Sequence, residues 1–348
     1  MAYTTINDPS AHFQATQYTG NGSTQSITNS GNSNLKPDFA WIKDLGSAFD
    51  HKLQDSNRGS TYTIESNTAL ATYNDTDAVT SFNTDGFSLG SNGNVNDNTA
   101  TLIAWQWKAN GGTTSSNGSG SITSTVQANT TAGFSIVTYT GTGSNATVGH
   151  GLGVAPDLIF VKLTSGSGDW TIYSSTLGNT KYLRLNGDIA AGTQSTYWQD
   201  TSPTSTAFSI GTAGDVNTSS GSHVAYCFTS IQGYSKFGTF LGDGQTDGPF
   251  IYTGFKPAWV MTKNASSAGG WAIMDAGRNP NNVQNKYLIA NTADVQATGS
   301  SFDIDSNANG FKIRANNGNI NASGDNILYM AFAENTLVGT NNVISLAR

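Results

Sequence analysis

The feature that most constrains this chain is a threefold internal repeat. Phe87-Ser-Leu-Gly-Ser-Asn-Gly-Asn-Val-Asn96 leads into Thr101-Leu-Ile-Ala-Trp-Gln-Trp107, Phe208-Ser-Ile-Gly-Thr-Ala-Gly-Asp-Val-Asn217 into His223-Val-Ala-Tyr-Cys-Phe228, and Phe311-Lys-Ile-Arg-Ala-Asn-Asn-Gly-Asn-Ile-Asn321 into Ile327-Leu-Tyr-Met-Ala-Phe332. Apolar residues alternate on either side of a polar loop, which predicts two half-buried strands joined by a turn. A second block, Pro37-Asp-Phe-Ala-Trp-Ile-Lys43, returns from Pro156 to Lys162 and from Pro257 to Lys263. Both blocks share one period of about 100 residues, longer than a solenoid unit and close to one small sandwich.

The expected fold is therefore all-β: three tandem antiparallel β-sandwich domains of jelly-roll type, at 13–109, 132–234 and 235–337. Each opens on a Gly-rich hairpin signal, as in Thr19-Gly-Asn-Gly22, Thr140-Gly-Thr-Gly143 and Leu241-Gly-Asp-Gly244. No window sustains a helical apolar period. Residues 1–12 read as an N-terminal arm that packs on a neighbour or remains a tail, and 338–348 as a C-terminal tail. Residues 110–131 read as a Gly/Ser/Thr-rich linker, with a strand signal after Ser121. The connection from Ile231 to Phe237 is short and aromatic, so units 2 and 3 should dock rigidly and unit 1 should be freer to tilt.

Charge narrows the partners. The net charge is −7 and the 16 basic residues form no cluster, which argues against nucleic acid. No segment approaches the roughly 20 apolar residues of a membrane span, and the first residues lack the pattern of a secretion signal. Synthesis and folding in a cytoplasm are expected. The single cysteine, Cys227, sits within an apolar strand and reads as a small buried hydrophobe.

Reactive constellations are sparse. Glu65 and Glu334 are the only glutamates and occupy non-equivalent places, a poor basis for a glycosidase pair. His12, His51, His150 and His223 share no ligand spacing, and no nucleophile elbow accompanies His150. The best metal candidate is Asp303, Asp305, Asn307 and Asn309, which imitate the first half of a calcium loop, but Asn316 stands where the bidentate glutamate belongs. A turn before a strand is the simpler reading, so no cofactor is expected beyond that calcium alternative. Asp55/Arg58 and Asp275/Arg278 coincide in register and suit structural ion pairs, while unit 2 has Ser174 and Leu177 there. Trp41, Trp105, Trp107 and Trp259 lie on alternating strands and are assigned to the core. Trp170, Trp198 and Trp271 border polar loops and are the candidate ligand-binding aromatics.

The blocks at Tyr18 to Gly22, Pro37 to Lys43, Asp85-Gly-Phe-Ser-Leu-Gly90 and Gly254-Phe-Lys-Pro-Ala-Trp259 resemble a family of virion proteins from tailed bacteriophages, especially marine ones. The resemblance runs from about residue 1 to 337. It implies a structural protein of the particle with lectin-like sandwich domains, a tail fibre or appendage, and no catalytic residues. The leading expectation is a non-enzymatic tail fibre whose loops adhere to host surface polysaccharide, partnered by other virion proteins and assembled as a homo-oligomer, a trimer for a fibre. The alternatives are a capsid decoration or head-fibre protein and, more distantly, a carbohydrate-active enzyme.

Overall fold

A computed structural model describes residues 3–336, and within them the chain is all-β with antiparallel pairing in every sheet. Each copy of the repeat supplies one large and one small sheet. In unit 1 the large sheet orders Phe13–Thr19, Thr101–Trp107, Phe39–Asp44, Lys52–Asp55, Gly59–Glu65 and Tyr73–Asn74. In unit 3 the same order runs Ser235–Leu241, Asn326–Thr336, Phe255–Asn264, Ala272–Asp275, Lys286–Ile289 and Ala297–Thr298. The small sheet of unit 1 has Gln25–Ile27, Phe87–Leu89 and Val79–Phe82. Among the described residues no helix is long and apolar enough to cross a membrane.

The large sheets are covered on both faces, so their central strands are apolar on both sides of the pleat. Along Thr101–Trp107, Leu102 and Ala104 pack on the small sheet against Ile27, Phe87 and Leu89, whereas Ile103, Trp105 and Trp107 point the other way. That second face meets its counterparts from units 2 and 3. Trp41, Trp105, Trp107, Phe134, Trp170, Tyr226, Phe228, Trp259, Trp271 and Phe332 form one central core to which all three units contribute. Trp107 meets Trp259 edge-on at 5.8 Å, and Phe39 stacks on Tyr226 at 4.4 Å. Of the strands expected to be half-buried, Thr101–Trp107 and Ser222–Phe228 are buried on both faces because a third layer lies behind them, while Phe87–Leu89 keeps the expected alternation.

The repeated Gly/Asn loop contains one helical turn, Gly93–Asn96, Gly214–Asn217 and Gly318–Asn321, ending on a buried asparagine. Its amide ties the loop to the opening turn of the unit. Asn217 accepts from the Thr142 amide at 2.7 Å and donates to the Ser144 and Gly211 carbonyls at 2.6 and 2.7 Å, and Asn96 and Asn321 repeat the pattern. This contact explains the Gly-x-Gly signal. A Cβ on Gly20, Gly141 or Gly242 would lie 2.0 to 2.3 Å from a carbonyl oxygen of that same loop, and Gly22, Gly143 and Gly244 hold φ near +70°.

Contacts between units are cyclic. The Thr72 amide of unit 1 donates to Thr164 of unit 2, Ala191 of unit 2 to Ala265 of unit 3, and Gln296 of unit 3 back to Leu45 of unit 1, at 2.9 to 3.0 Å. Indole Nε1 of Trp170 reaches the Glu65 carbonyl at 2.7 Å, and that of Trp271 reaches Arg184 at 2.8 Å. The third equivalent place holds His51, whose Nδ1 instead accepts the Trp41 indole N–H of its own unit at 2.9 Å. Asp55–Arg58 and Asp275–Arg278 pair at 2.5 Å, and each receives a donor from the next unit, the Tyr226 hydroxyl at 2.7 Å and Trp105 Nε1 at 3.2 Å.

Three expectations change in this light. Within the expected linker, Ser124–Asn129 forms the strand signalled after Ser121 and Ser115–Asn117 adds an edge strand beside it, so the segment extends the unit 2 sheet. Unit 1 is not freer than the others: Asn57 donates to the Thr125 and Ile136 carbonyls at 3.1 Å, and its tryptophans belong to the shared core. The N-terminal arm folds back on its own chain from Tyr3 onward, with Ile6 buried and the Tyr3 hydroxyl on the Gly254 carbonyl at 3.0 Å. The C-terminal tail 338–348 lies outside the described residues.

Candidate functional site

One position in the repeat carries a different chemistry in each unit. Glu65, Arg184 and Ile289 end equivalent strands beside the seam with a neighbouring unit. In unit 1, Glu65 pairs with Lys52 at 2.5 Å and accepts from the Tyr73 hydroxyl at 3.1 Å, all inside the protein. In unit 2, Arg184 pairs with Asp169, reaches Asp215 at 3.2 Å and donates to the Tyr197 hydroxyl oxygen at 2.9 Å. Its guanidinium lies 5.6 Å from the centre of the Tyr182 ring, within cation–π range. Two of the three places are thus closed by internal charge pairs.

The third is open. Ile289 carries no charge, Gly270 stands where unit 2 has Asp169, and Asn319 where it has Asp215. What remains is a cavity of about 670 Å³, lined by Tyr287, Phe302, Asn291, Asn319 and Val295 of unit 3, Asp188 of unit 2 and Ala48 of unit 1. Tyr287 and Phe302 pair at 4.2 Å and 36°, almost reproducing Tyr182 and Tyr197 at 4.2 Å and 32°. The platform is kept and its filling is lost. Asp188 and Asp294 also line the cavity; both are exposed, and among the described residues neither forms a salt bridge, although they lie within electrostatic reach of Lys263 and Lys43. An aromatic face, side-chain amides and carboxylate acceptors in one concave space are the groups that hold a hydroxyl-rich ligand.

The loops forming this cavity are anchored by buried lysines. Lys43, Lys162 and Lys263 are fully buried, and each Nζ donates to main-chain carbonyls: Asp44 and Ser47; Ala69, Leu163 and Gly168; Asp188 and Asn264. Burial pulls all three down to about 8. Lys162 and Lys263 thereby hold a loop of the adjacent unit, and the Asp188 carbonyl gripped by Lys263 places that residue at the cavity wall.

The tryptophans assigned to ligand contact lie elsewhere. Trp170, Trp198 and Trp271 are 0, 1 and 2% exposed, so none offers a face to solvent. Trp170 and Trp271 belong to the central core, and Trp198 packs edge-on against Tyr173 inside unit 2 at 5.7 Å. The calcium-like series does not converge. Ile304–Asn307 is a strand, which sends Asp303, Asp305 and Asn307 along its length, and Asp305 pairs with Arg314 at 3.4 Å. The Asn309 carbonyl accepts from the Thr253 and Gly254 amides, and among the described residues no group of three or more His, Cys, Asp or Glu side chains could hold a metal ion. Cys227 is buried with its thiol pushed up to about 12. The tyrosine that matters, Tyr287, was visible in the sequence as part of Lys286-Tyr-Leu, but the cavity beside it arises only when three units meet.

No curated protein and no solved structure matches the chain. The profile of the family described as Domain of unknown function (DUF7483) matches residues 8–336. The matched span covers all three units, and the chain belongs to that family.

Proposed function

We propose that this protein is a structural, adhesive component of a tailed-phage particle, a tail fibre or appendage that attaches to host surface glycans. The unit 3 cavity carries this reading: an aromatic pair, the side-chain amides of Asn291 and Asn319, two carboxylates free of salt bridges, and an opening at a junction of three units that fixes its walls. The resemblance of the blocks at Tyr18, Pro37, Asp85 and Gly254 to phage virion proteins supports the particle context. A surface solvated by amides and hydroxyls, with only 11% charged residues, suits an external component. Its partners are other virion proteins and host polysaccharide, in a homo-oligomeric, trimeric assembly.

The test is binding of purified chain to host surface polysaccharide, read beside Ile289→Arg, which places in unit 3 the side chain that fills unit 2. Saturable binding lost in the variant supports the reading. Binding that ignores the substitution removes the unit 3 cavity as the site, and no binding while labelled antibody decorates the head shell replaces adhesion with the capsid decoration alternative.

A further inference from the structure

The repeat contains its own account of what the open cavity accepts. In unit 2 the space above Tyr182 is occupied by a cation, the Arg184 guanidinium, held by two carboxylates and a tyrosyl hydroxyl. In unit 3 the same aromatic pair survives within 4° of the same interplanar angle, but residue 289 supplies no cation. Carboxylates are present nonetheless, arriving from other loops: Asp294 from unit 3 and Asp188 from unit 2. Lys43 and Lys263 attract Asp294 and Asp188 through space, but each ammonium donates to two main-chain carbonyls and forms no salt bridge with either aspartate among the described residues. The aromatic pair is thus kept, and two carboxylates free of salt bridges stand near it, without the side-chain cation that closes the space in unit 2.

We infer that the unit 3 cavity binds a cationic group of its ligand, seated over Tyr287 in the place that Arg184 takes over Tyr182, and that the ligand class is an amino sugar with a free amine. This rests on the glycan-adhesion reading and narrows it. A protonated amine gains from the ring quadrupole and from charge-assisted bonds to Asp188 and Asp294. Its N-acetyl derivative loses the charge, and a uronic acid brings a second negative charge to a wall that already carries two. The sugar hydroxyls face Asn291 and Asn319.

The experiment is a calorimetric titration of the full chain at pH 7 with chitosan oligosaccharide, N-acetylated chitin oligosaccharide of the same length, and an oligouronate, repeated with the double variant Asp188→Asn/Asp294→Asn. The expected result is binding of the free amine at least tenfold tighter than its acetylated form, no uptake of the uronate, and collapse of the preference to within about twofold in the double variant. Equal binding of amine and acetylated forms by the wild type overturns the inference and leaves glycan adhesion standing. No response to any of the three, alongside no binding of host polysaccharide, overturns both. A Tyr287→Leu variant separates the ring from the carboxylates: it should weaken the amine several-fold, and unchanged affinity would remove the ring from the account.

Discussion

Trp271 of unit 3 donates its indole N–H to the main-chain oxygen of Arg184 in unit 2, and Trp170 of unit 2 makes the same bond to Glu65 of unit 1. These bonds lie at the rim of a core that no single unit could bury. Replacing Trp271 by Phe should cost about 1 to 2 kcal/mol, since the carbonyl loses its donor with little loss of area, and replacing it by Ala about 3 to 5 kcal/mol. Denaturant titration checks both. A loss below about 1 kcal/mol for the Ala variant would mean that the units fold independently of this seam. The wild type should also unfold in one transition, with tryptophan fluorescence and far-ultraviolet dichroism coinciding.

The buried asparagines close each unit on itself. Asn217→Ala should cost about 2 to 4 kcal/mol, because one amide and two carbonyls lose their partner together. Asn217→Asp should be at least as harmful at neutral pH, since it aims a carboxylate at two carbonyl oxygens. Urea midpoints for the two variants test the ranking, and an Asp variant as stable as wild type would contradict it.

The three lysines give a signed dependence on pH. Their folded values near 8 lie below the ordinary 10.5, so between those limits the unfolded chain holds more protons and stability rises with pH. Buried Tyr139 and Tyr226 are shifted upward, so above about pH 10 the unfolded chain ionises first and stability falls again. The Cys227 thiol, raised from 9.0 to about 12, opposes the lysines from about pH 9. Thermal melts from pH 7 to 10 should therefore climb above pH 8, and Lys162→Met should reduce the slope by about a third. A flat profile would show that these ammonium groups are better solvated than their burial implies.

At the acid end, His51 accepts the Trp41 indole N–H on Nδ1 at 2.9 Å, and burial holds it well below 6.5. A proton on Nδ1 would oppose donor to donor. Because its folded value is depressed, stability is lost as pH falls through the unfolded value near 6.5. His51→Phe should reduce the slope between pH 6.5 and 4.5 at the expense of Trp41's partner, the remainder coming from His12, His150 and His223, which burial also lowers. Melts of the two proteins across that range decide it, and parallel curves would assign the acid sensitivity to other groups.

The sequence made the repeat and the strands legible because both are local in character: Phe87-Ser-Leu and Thr101 to Trp107 announce themselves by alternation. The seams were not, since they pair residues such as Trp170 and Glu65 across 105 positions. Trp170 and Trp271 follow Gly-rich stretches and so looked solvent-facing, yet those stretches fold at the junctions and turn the indoles inward. One signal was available: a lysine recurring at 43, 162 and 263 at the end of an apolar strand marks a buried charge with a fixed structural task. The cavity left no such mark. It exists because Ile289 replaces a charged residue, a change meaningful only once Glu65 and Arg184 are seen to occupy the same place.

The most direct test of the account is a structure of the chain with a bound amino-sugar oligosaccharide. The sugar amine should sit over Tyr287 between Asp188 and Asp294, with unit 2's Tyr182 still covered by Arg184. A sugar bound elsewhere, with the unit 3 cavity empty, would contradict it.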